Sequence, residues 1–478
     1  MTDNKPLVLD VDGTFLNTDM LFENFWAGLG QAPIATLKIC ATHFRSPARL
    51  KQELAALVTM RTDLLPVNPQ IKAVAEETLS SGRDVVLASA SDQVLVEQLA
   101  KDHGLSPRSF ASDGRTNLKG DAKADALVQA YGEGGFHYAG DNKVDRAIWQ
   151  HADGVLIVGN HPKLASEMTA AGKQVAEFSG EWKARDLIRA LRPHQWVKNI
   201  LLFLPVLAAH NFTLPVMLMV LLGMVAFSAA ASSIYIVNDL LDLEADRLHV
   251  KKRHRPFAAG KVPIRVGMIT GAGLALLAQG IGAYLGWAFL LVVILYMVLS
   301  LAYSLRLKRM RWVDIATLAS LYTLRVVAGA AASGVVASGF MLVFIFPVFI
   351  TLVCVKRLTE LTLATSDERL PGRGYGRKDR EDLLNVGGLG VAGALVIFFL
   401  YSFSEQATML YPTRWLLWVG LIPLAWWLIR MLRLGYLGKQ DYDPIVFAMT
   451  DKRGIGILLI LLSLMFYSAG LWQQWLGF

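Results

Sequence analysis

The sequence predicts two folds in one chain: a doubly wound α/β domain with a helical cap over residues 1–180, and an all-α polytopic membrane domain over 195–478, joined by a linker at 181–194. Three observations carry this reading. Short β-rich runs alternate with helical stretches only in the first part, apolar windows long enough to cross a bilayer recur only in the second, and the charge changes sign between them. Residues 1–192 hold 21 Lys+Arg against 24 Asp+Glu, and the remainder holds 26 against 15. The whole chain of 478 residues is 54% hydrophobic and only 18% charged, a balance unusual for a soluble protein.

The strand-like runs lie at 6–12 (PLVLDVD), 84–91, 136–141, 154–160 and 174–178, separated by helical stretches such as 92–103 and 162–172. That alternation predicts a parallel sheet, whose ligands bind at the carboxyl ends of the strands. The polar residues sit at those ends. The first run delivers Asp10 and Asp12 into a Gly13-Thr14 turn, and a spacing of two puts both carboxylates on one side of an extended chain. One carboxylate can attack phosphorus and the other can shuttle a proton, with a magnesium ion offsetting the charge of the phosphate. The next run ends at Ser89, a hydroxyl suited to a phosphoryl oxygen; LKGDAK supplies Lys119 and Lys123, and AGDNKVD supplies Asp141 and Asp145 as hard oxygen ligands. The insertion at 17–75 reads as a helical cap, and its aromatic content also suits a bilayer surface.

These four stations in this order resemble the haloacid dehalogenase superfamily of phosphatases, over roughly residues 5–180. The resemblance implies Asp10 as a nucleophile that forms an aspartyl-phosphate and Asp12 as general acid/base. It implies Ser89 and Lys123 as phosphate binders, with Lys119 competing for the lysine role. Asp10, Asp12 and Asp141 would surround magnesium, with Asp145 a further ligand or a supporting partner.

In the second part, apolar windows lie near 196–211, 214–236, 264–283, 286–303, 313–332, 339–355, 384–402, 414–432 and 455–474, about nine spans for a hydrocarbon core of ~30 Å. The connections at 237–263, 304–311, 356–381 and 433–454 are crowded with Lys and Arg, whereas those near 212, 285, 335 and 408 contain almost none. The positive-inside rule then puts the basic loops and the α/β domain in the cytoplasm of a bacterial-type inner (plasma) membrane. The opening MTDNKPLVLD has no basic stretch before a long apolar one, so no cleavable secretory signal is expected. Cys40 and Cys354 are too few for a disulfide framework or a cysteine metal site.

The most informative loop is NDLLDLEADRLHVKKRHRPFAAG at 238–260. On a helix continuing past the membrane, Asp239, Asp242 and Asp246 share a face, beside Asn238. Three carboxylates at a membrane mouth repel one another, and magnesium bridging them to a bound diphosphate removes that conflict. Lys251, Lys252, Arg253 and Arg255 follow, with donors suited to phosphate oxygens, although a positive-inside cluster explains them equally well. Asp314 and Arg325 are ionisable residues inside the fifth window, Arg325 more suited to bundle structure than to chemistry.

NDxxDxxxD beside a span, with YSLRLKR at 303–309, resembles the UbiA superfamily of intramembrane prenyltransferases over 190–478. Prenyltransferases proper have a second aspartate pair in the later loop, where this chain has VKRLTEL with Lys356, Arg357 and Glu360. That segment and LRPHQWVKNILLFLPVLAA look more like the polyprenyl-phosphate phosphoribosyltransferase branch. This resemblance implies magnesium as cofactor, phosphoribosyl diphosphate (PRPP) or another diphosphate as donor, and a polyprenyl phosphate such as decaprenyl phosphate as acceptor. Lys198, Asn238, Arg255, Lys308, Lys356, Arg357 and Glu360 would bind substrate around Asp239, Asp242 and Asp246 as catalytic and metal-holding residues. Membrane lipids are the expected partners, with self-association left open, and nucleic acid is not expected. Two other readings stay open: a prenyltransferase with an isoprenyl diphosphate donor beside an unrelated phosphatase, and a transporter or scaffold with a decayed phosphatase domain.

Overall fold

The computed structural model describes residues 4–180, 182–364, 369, 373–440 and 443–477. Contact density divides the chain into two units, Met1–Leu191 with Tyr235–Ala272, and Arg192–Ile234 with Gly273–Phe478.

The first unit is built on β1 (Leu7–Leu9), followed by helices α1 (Met20–Gln31), α2 (Pro33–His43), α3 (Pro47–Leu57) and α4 (Pro69–Ser80). Then β2 (Val85–Asp92), α5 (Gln93–Asp102), β3 (Ser109–Ser112), α6 (Asp121–Tyr131), β4 (His137–Gly140), α7 (Arg146–His151), β5 (Gly154–Val158), α8 (Pro162–Ala170), β6 (Gln174–Phe178) and α9 (Ala184–Leu191) alternate as expected. All strand pairs are parallel, in the order β3-β2-β1-β4-β5-β6. Leu7, Leu9, Val85, Leu87 and Leu156 pack on one face and Val8, Val86, Tyr138, Val155 and Ile157 on the other, so the central strands bury apolar residues on both faces and read as continuous runs. Five of the six strands coincide with the runs read from sequence. The sixth, β3, is Ser-Phe-Ala-Ser, too short and polar to show a β pattern.

In the second unit, a 3-10 stretch (Pro193–Phe203) and α10 (Leu204–Ala208) precede α11 (Leu214–Leu241). The chain re-enters the first unit through α12 (Leu243–Leu248) and returns along α13 (Ile264–Leu285). It continues through α14 (Trp287–Leu305), α15 (Arg311–Ser333), α16 (Gly339–Thr362), α17 (Arg380–Tyr401), α18 (Glu405–Leu410), α19 (Trp415–Tyr436), α20 (Pro444–Ala448), α21 (Lys452–Ser468) and α22 (Leu471–Leu476).

Among the described residues seven helices, α11, α13 to α17 and α19, are long and apolar enough to cross a membrane, so the expected count of about nine is not confirmed. The window at 196–211 is divided between 3-10 and α geometry, where Pro193 and Pro205 withhold backbone donors. The window at 455–474 ends a helix of 17 residues and turns at Gly470 with φ +71°. The core of the unit lies where α15, α16, α17 and α19 meet, around Val326, Val353, Leu358, Ala394 and Leu428. Gly390 lets α17 close on α16, because a Cβ there would come within 2.4 Å of Thr351 Oγ1 and 2.9 Å of the Pro347 carbonyl oxygen. Leu218, Leu221, Ile269, Leu276, Leu291, Ile422 and Ile429 point outward from these helices, a surface that needs hydrocarbon as its solvent.

Candidate active sites

The first site lies where β1, β2 and β4 end. After Leu9 the chain leaves the sheet, and Phe15 N–H and Leu16 N–H turn back onto the carbonyls of Asp10 and Val11 at 3.1 and 2.9 Å. Gly13 at φ +83° closes this turn, and a Cβ there would meet Asp141 Oδ2 at 2.3 Å, so both the backbone and the neighbouring carboxylate demand glycine. The turn leaves Asp10 buried with Lys123 Nζ donating to its Oδ1 at 2.6 Å. The same ammonium donates to the Ala88 carbonyl at 3.2 Å and to Tyr138 OH at 3.1 Å, and Tyr138 OH donates to Asp145 Oδ1 at 3.0 Å. Asp12 accepts from Met20 N–H at 2.8 Å and from the hydroxyls of Ser89 at 3.1 Å and Ser91 at 2.7 Å.

Asp10, Asp12, Ser89, Lys123, Asp141 and Asp145 therefore come together in one place, and of the two competing lysines it is Lys123 that reaches Asp10. Oxygens of Asp10, Asp141 and Asp145 lie within 4.8 Å of one another. Burial, then the neighbouring Asp145 and Asp12, push Asp10 up to about 7 against the opposing pull of Lys123. Burial and repulsion from Asp10, Asp145 and Asp12 push Asp141 up to about 8. Lys123 loses by burial but gains more from Asp10 and Asp145, so its pKa is raised and it stays an ammonium. Three carboxylates around one cationic side chain leave an excess of negative charge, and their hard oxygen donors fit a magnesium ion.

The second cluster is the aspartate loop. The helix does not run straight through it: α11 ends at Leu241, Asp242 caps the short α12 with φ −103°, and Arg255 folds back from beyond. Arg255 Nη1 donates to Asp239 Oδ1 at 3.1 Å and to Asp246 Oδ2 at 2.7 Å, so these two carboxylates share a single cationic atom. Burial raises Asp246, with Arg255 opposing. Asn238 Oδ1 is buried with no hydrogen-bond partner among the described residues. Two buried carboxylates close enough to share one cation, beside an orphaned amide oxygen, are a donor set that fits magnesium.

In the second unit the basic candidates separate. Lys198 is buried and paired with Asp443. Lys356 interacts electrostatically with Asp443 and Lys198. Arg357, one residue on, faces elsewhere: Nε and Nη2 donate to Asp314 Oδ2 and Oδ1 at 2.6 and 2.7 Å, Nη2 also to Tyr303 OH at 2.9 Å, and Nη1 to Glu360 Oε2 at 2.5 Å. Arg373 joins Tyr303 OH at 2.8 Å. Arg357 and Glu360 are thus spent on each other and on Asp314, while Lys308 lies in a 3-10 turn (Leu307–Arg309). Arg325 is held by Asn199 Oδ1, the Leu321 carbonyl and Tyr296 OH at 3.2, 2.6 and 3.1 Å, the pattern of a bundle residue. Beyond Lys198 and Asp443 in sequence, Leu201 and Ile445 line an apolar cavity of about 460 Å³ together with Pro205, Phe349, Leu424 and Trp427.

Residues 200–451 match the UbiA prenyltransferase family. The chain belongs to that family. An uncharacterized protein of Sinorhizobium fredii, y4nM, is 35% identical over 95% of this chain and 89% of its own length. Two relatives named decaprenyl-phosphate phosphoribosyltransferase align with the UbiA part. That of Mycolicibacterium smegmatis is 33% identical over 46% of this chain and 71% of its own length. That of Corynebacterium glutamicum is 43% identical over 34% of this chain and 51% of its own. Among solved structures, a UbiA homologue of Archaeoglobus fulgidus bound to GPP and Mg2+ aligns at 16% identity with a TM-score of 0.46, covering 60% of this chain and 99% of that one.

Several residues of this UbiA-family chain escaped the motif reading. Ser91 stands two places after a motif serine, a period-2 signal that was available. Tyr138 precedes a recognised aspartate by three positions and looks like an ordinary strand aromatic. Asp443, Tyr303 and Arg373 carry no motif signal, because what places them beside Lys198 or Asp314 is helix packing across the unit. Lys51 on α3 donates to the Ala90 carbonyl at 2.6 Å and to Asn117 Oδ1 at 3.2 Å, bringing an insertion residue to the serine station.

Proposed function

We propose that the chain transfers 5-phosphoribose from PRPP to a polyprenyl phosphate such as decaprenyl phosphate, and that its N-terminal half then removes the 5-phosphate. The identity of 33–43% to the two phosphoribosyltransferases over the UbiA part is the observation that carries the first step. The composition of the 356–361 segment supports it, since Arg357 and Glu360 there form an ion pair where a second diphosphate-binding aspartate pair would stand.

In the transfer, a lipid phosphate oxygen attacks the anomeric carbon, and the diphosphate departs with the electrons of the breaking C–O bond. Asp239, Asp242 and Asp246 would hold magnesium, which when bound neutralises the leaving diphosphate. Lys198, paired with Asp443, and Lys356, which interacts with Asp443 and Glu360, supply cations suited to the acceptor phosphate. The apolar cavity that begins one turn beyond Lys198 suits the first isoprene units.

For the second step, Asp10 attacks phosphorus while Asp12 gives its proton to the departing ribose 5-oxygen. Water, deprotonated by Asp12, then cleaves the aspartyl-phosphate and regenerates Asp10. Lys123 holds Asp10 and pairs with phosphoryl charge, and Tyr138 keeps Asp145 in place. Asp10, Asp141 and Asp145 would hold magnesium, which when bound offsets the charge that otherwise keeps attacking carboxylate and phosphate apart. The basic loops support a cytoplasmic location at the plasma membrane for both sites.

Donor competition tests this reading. Purified full-length protein with magnesium and decaprenyl phosphate is expected to form labelled lipid from PRPP, with little inhibition by isoprenyl diphosphates. Prenylated product from an isoprenyl diphosphate, and none from PRPP, would establish the prenyltransferase reading in its place.

A further inference from the structure

Within the first unit, the insertion and the aspartate loop are joined by a buried ion pair that neither reaction uses. Glu23 on α1 accepts from Arg247 on α12 through two bonds, Nη2 to Oε1 at 2.6 Å and Nη1 to Oε2 at 3.1 Å. The side chains are 4% and 8% exposed. Arg247 Nε also donates to the Ala258 carbonyl at 3.1 Å, which pins the return of the same loop. Glu23 Oε1 accepts a further bond from Thr18 Oγ1 at 2.6 Å, and the Thr18 carbonyl accepts from Gly13 N–H at 3.2 Å.

Each end of the pair is one step from a candidate catalytic carboxylate. Arg247 follows Asp246 directly. Glu23 lies in the first turn of α1, whose Met20 N–H binds Asp12. The surrounding surfaces fit closely as well: Gly260, at φ +65°, would bring a Cβ to 2.8 Å from Asn17 and Pro66, and one at Gly30 would lie 3.7 Å from the Leu241 carbonyl. A planar guanidinium gripped by both carboxylate oxygens fixes orientation as well as distance. Desolvated ion pairs give up much of their Coulomb gain, so a pair like this is suited to fixing register more than to adding stability.

We infer that Glu23 and Arg247 are positioning residues that hold the phosphatase-like cap and the diphosphate-binding loop in one register, so that a product of one site is passed to the other. The inference rests on the proposed two-step reaction, and it adds a physical joint between the steps. Either site can work without the joint on a small soluble substrate. Only the passage of the lipid product depends on it.

The test compares full-length wild type with Glu23→Gln, Arg247→Lys and the exchanged pair Glu23→Arg/Arg247→Glu. Hydrolysis of p-nitrophenyl phosphate and total transfer of phosphoribose to decaprenyl phosphate are expected to stay within about twofold of wild type in each single variant. The fraction of lipid product retaining its 5-phosphate is expected to rise several-fold in both, and to fall back in the exchanged pair. Amide exchange over 17–31 and 238–260 should rise in the single variants and recover in the exchange, a readout independent of any substrate. Unchanged lipid processing together with unchanged exchange overturns the inference, as does a loss of both activities that the exchanged pair fails to rescue. Absence of phosphoribosyl lipid from wild type overturns the proposed function instead, and the exchange comparison still decides the joint.

Discussion

Asp141 shows how charge crowding at a single residue turns into a measurable pH dependence. An unfolded aspartate ionises near 3.8, whereas the folded Asp141 holds its proton up to about 8 and Asp10 up to about 7. Between those values the folded chain binds more protons than the unfolded one, so without magnesium its stability falls as pH rises from about 4 to about 8. Asp141→Asn removes that penalty at one position. In chelator, the variant is expected to unfold at the wild-type temperature near pH 4 and at a higher one near pH 8, and added magnesium should reverse the order at pH 8. An equal pH slope for the two proteins would contradict the crowding. Asp12, which adds to that crowding and accepts from both serines, is expected to act through proton transfer: Asp12→Asn should lower p-nitrophenyl phosphate turnover by about 10²–10⁴-fold with little change in KM.

At the scale of the element, α16 separates two adjacent basic residues by the geometry of a helix. Lys356 and Arg357 are neighbours in sequence and face different partners, Asp443 for one and Asp314 with Glu360 for the other. Arg357→Met removes the two-bond partner of buried Asp314, leaving it Tyr303 OH at 2.9 Å and Arg373 at 3.4 Å, and is expected to cost about 3–5 kcal/mol in unfolding free energy. Lys356→Met should leave unfolding nearly unchanged and raise KM for the lipid phosphate several-fold. Thermal unfolding in detergent and steady-state kinetics distinguish the two. The turn after β1 makes a similar demand on backbone: Gly13→Ala combines a positive φ, worth about 1–3 kcal/mol, with contact against Asp141, and should abolish phosphatase turnover.

These elements show what was legible in the chain. Asp10, Asp12, Ser89 and Asp141 announce themselves because they lie at or near the carboxyl ends of β1, β2 and β4, and sheet order brings strand ends together whatever their sequence separation; Lys123 reaches the same place from the first turn of α6. Arg357 and Glu360 read as substrate ligands because sequence shows residue type and spacing, while their mutual pairing and the Asp314 anchor are products of packing between α15 and α16. Asp443 is silent in sequence for the same reason. The two apolar windows that yield no long helix are those where Pro193, Pro205 and Gly470 interrupt helical geometry.

Over the whole molecule, the segment 235–272 lies within the UbiA match in sequence yet falls in one compact unit with the α/β domain. The candidate site around Asp10 and the aspartate loop are joined there by the buried pair Glu23–Arg247, an arrangement that suits the proposed two-step handling of one phosphorylated lipid. The central claim is therefore about order, transfer first and dephosphorylation second. The most direct measurement is mass spectrometry of the lipid made from PRPP, decaprenyl phosphate and magnesium by wild type and by Asp10→Asn. Wild type is expected to give decaprenyl phosphoryl ribose and free phosphate, and Asp10→Asn the same lipid heavier by one phosphate. An identical lipid from both proteins, or no ribosylated lipid from either, would contradict the account.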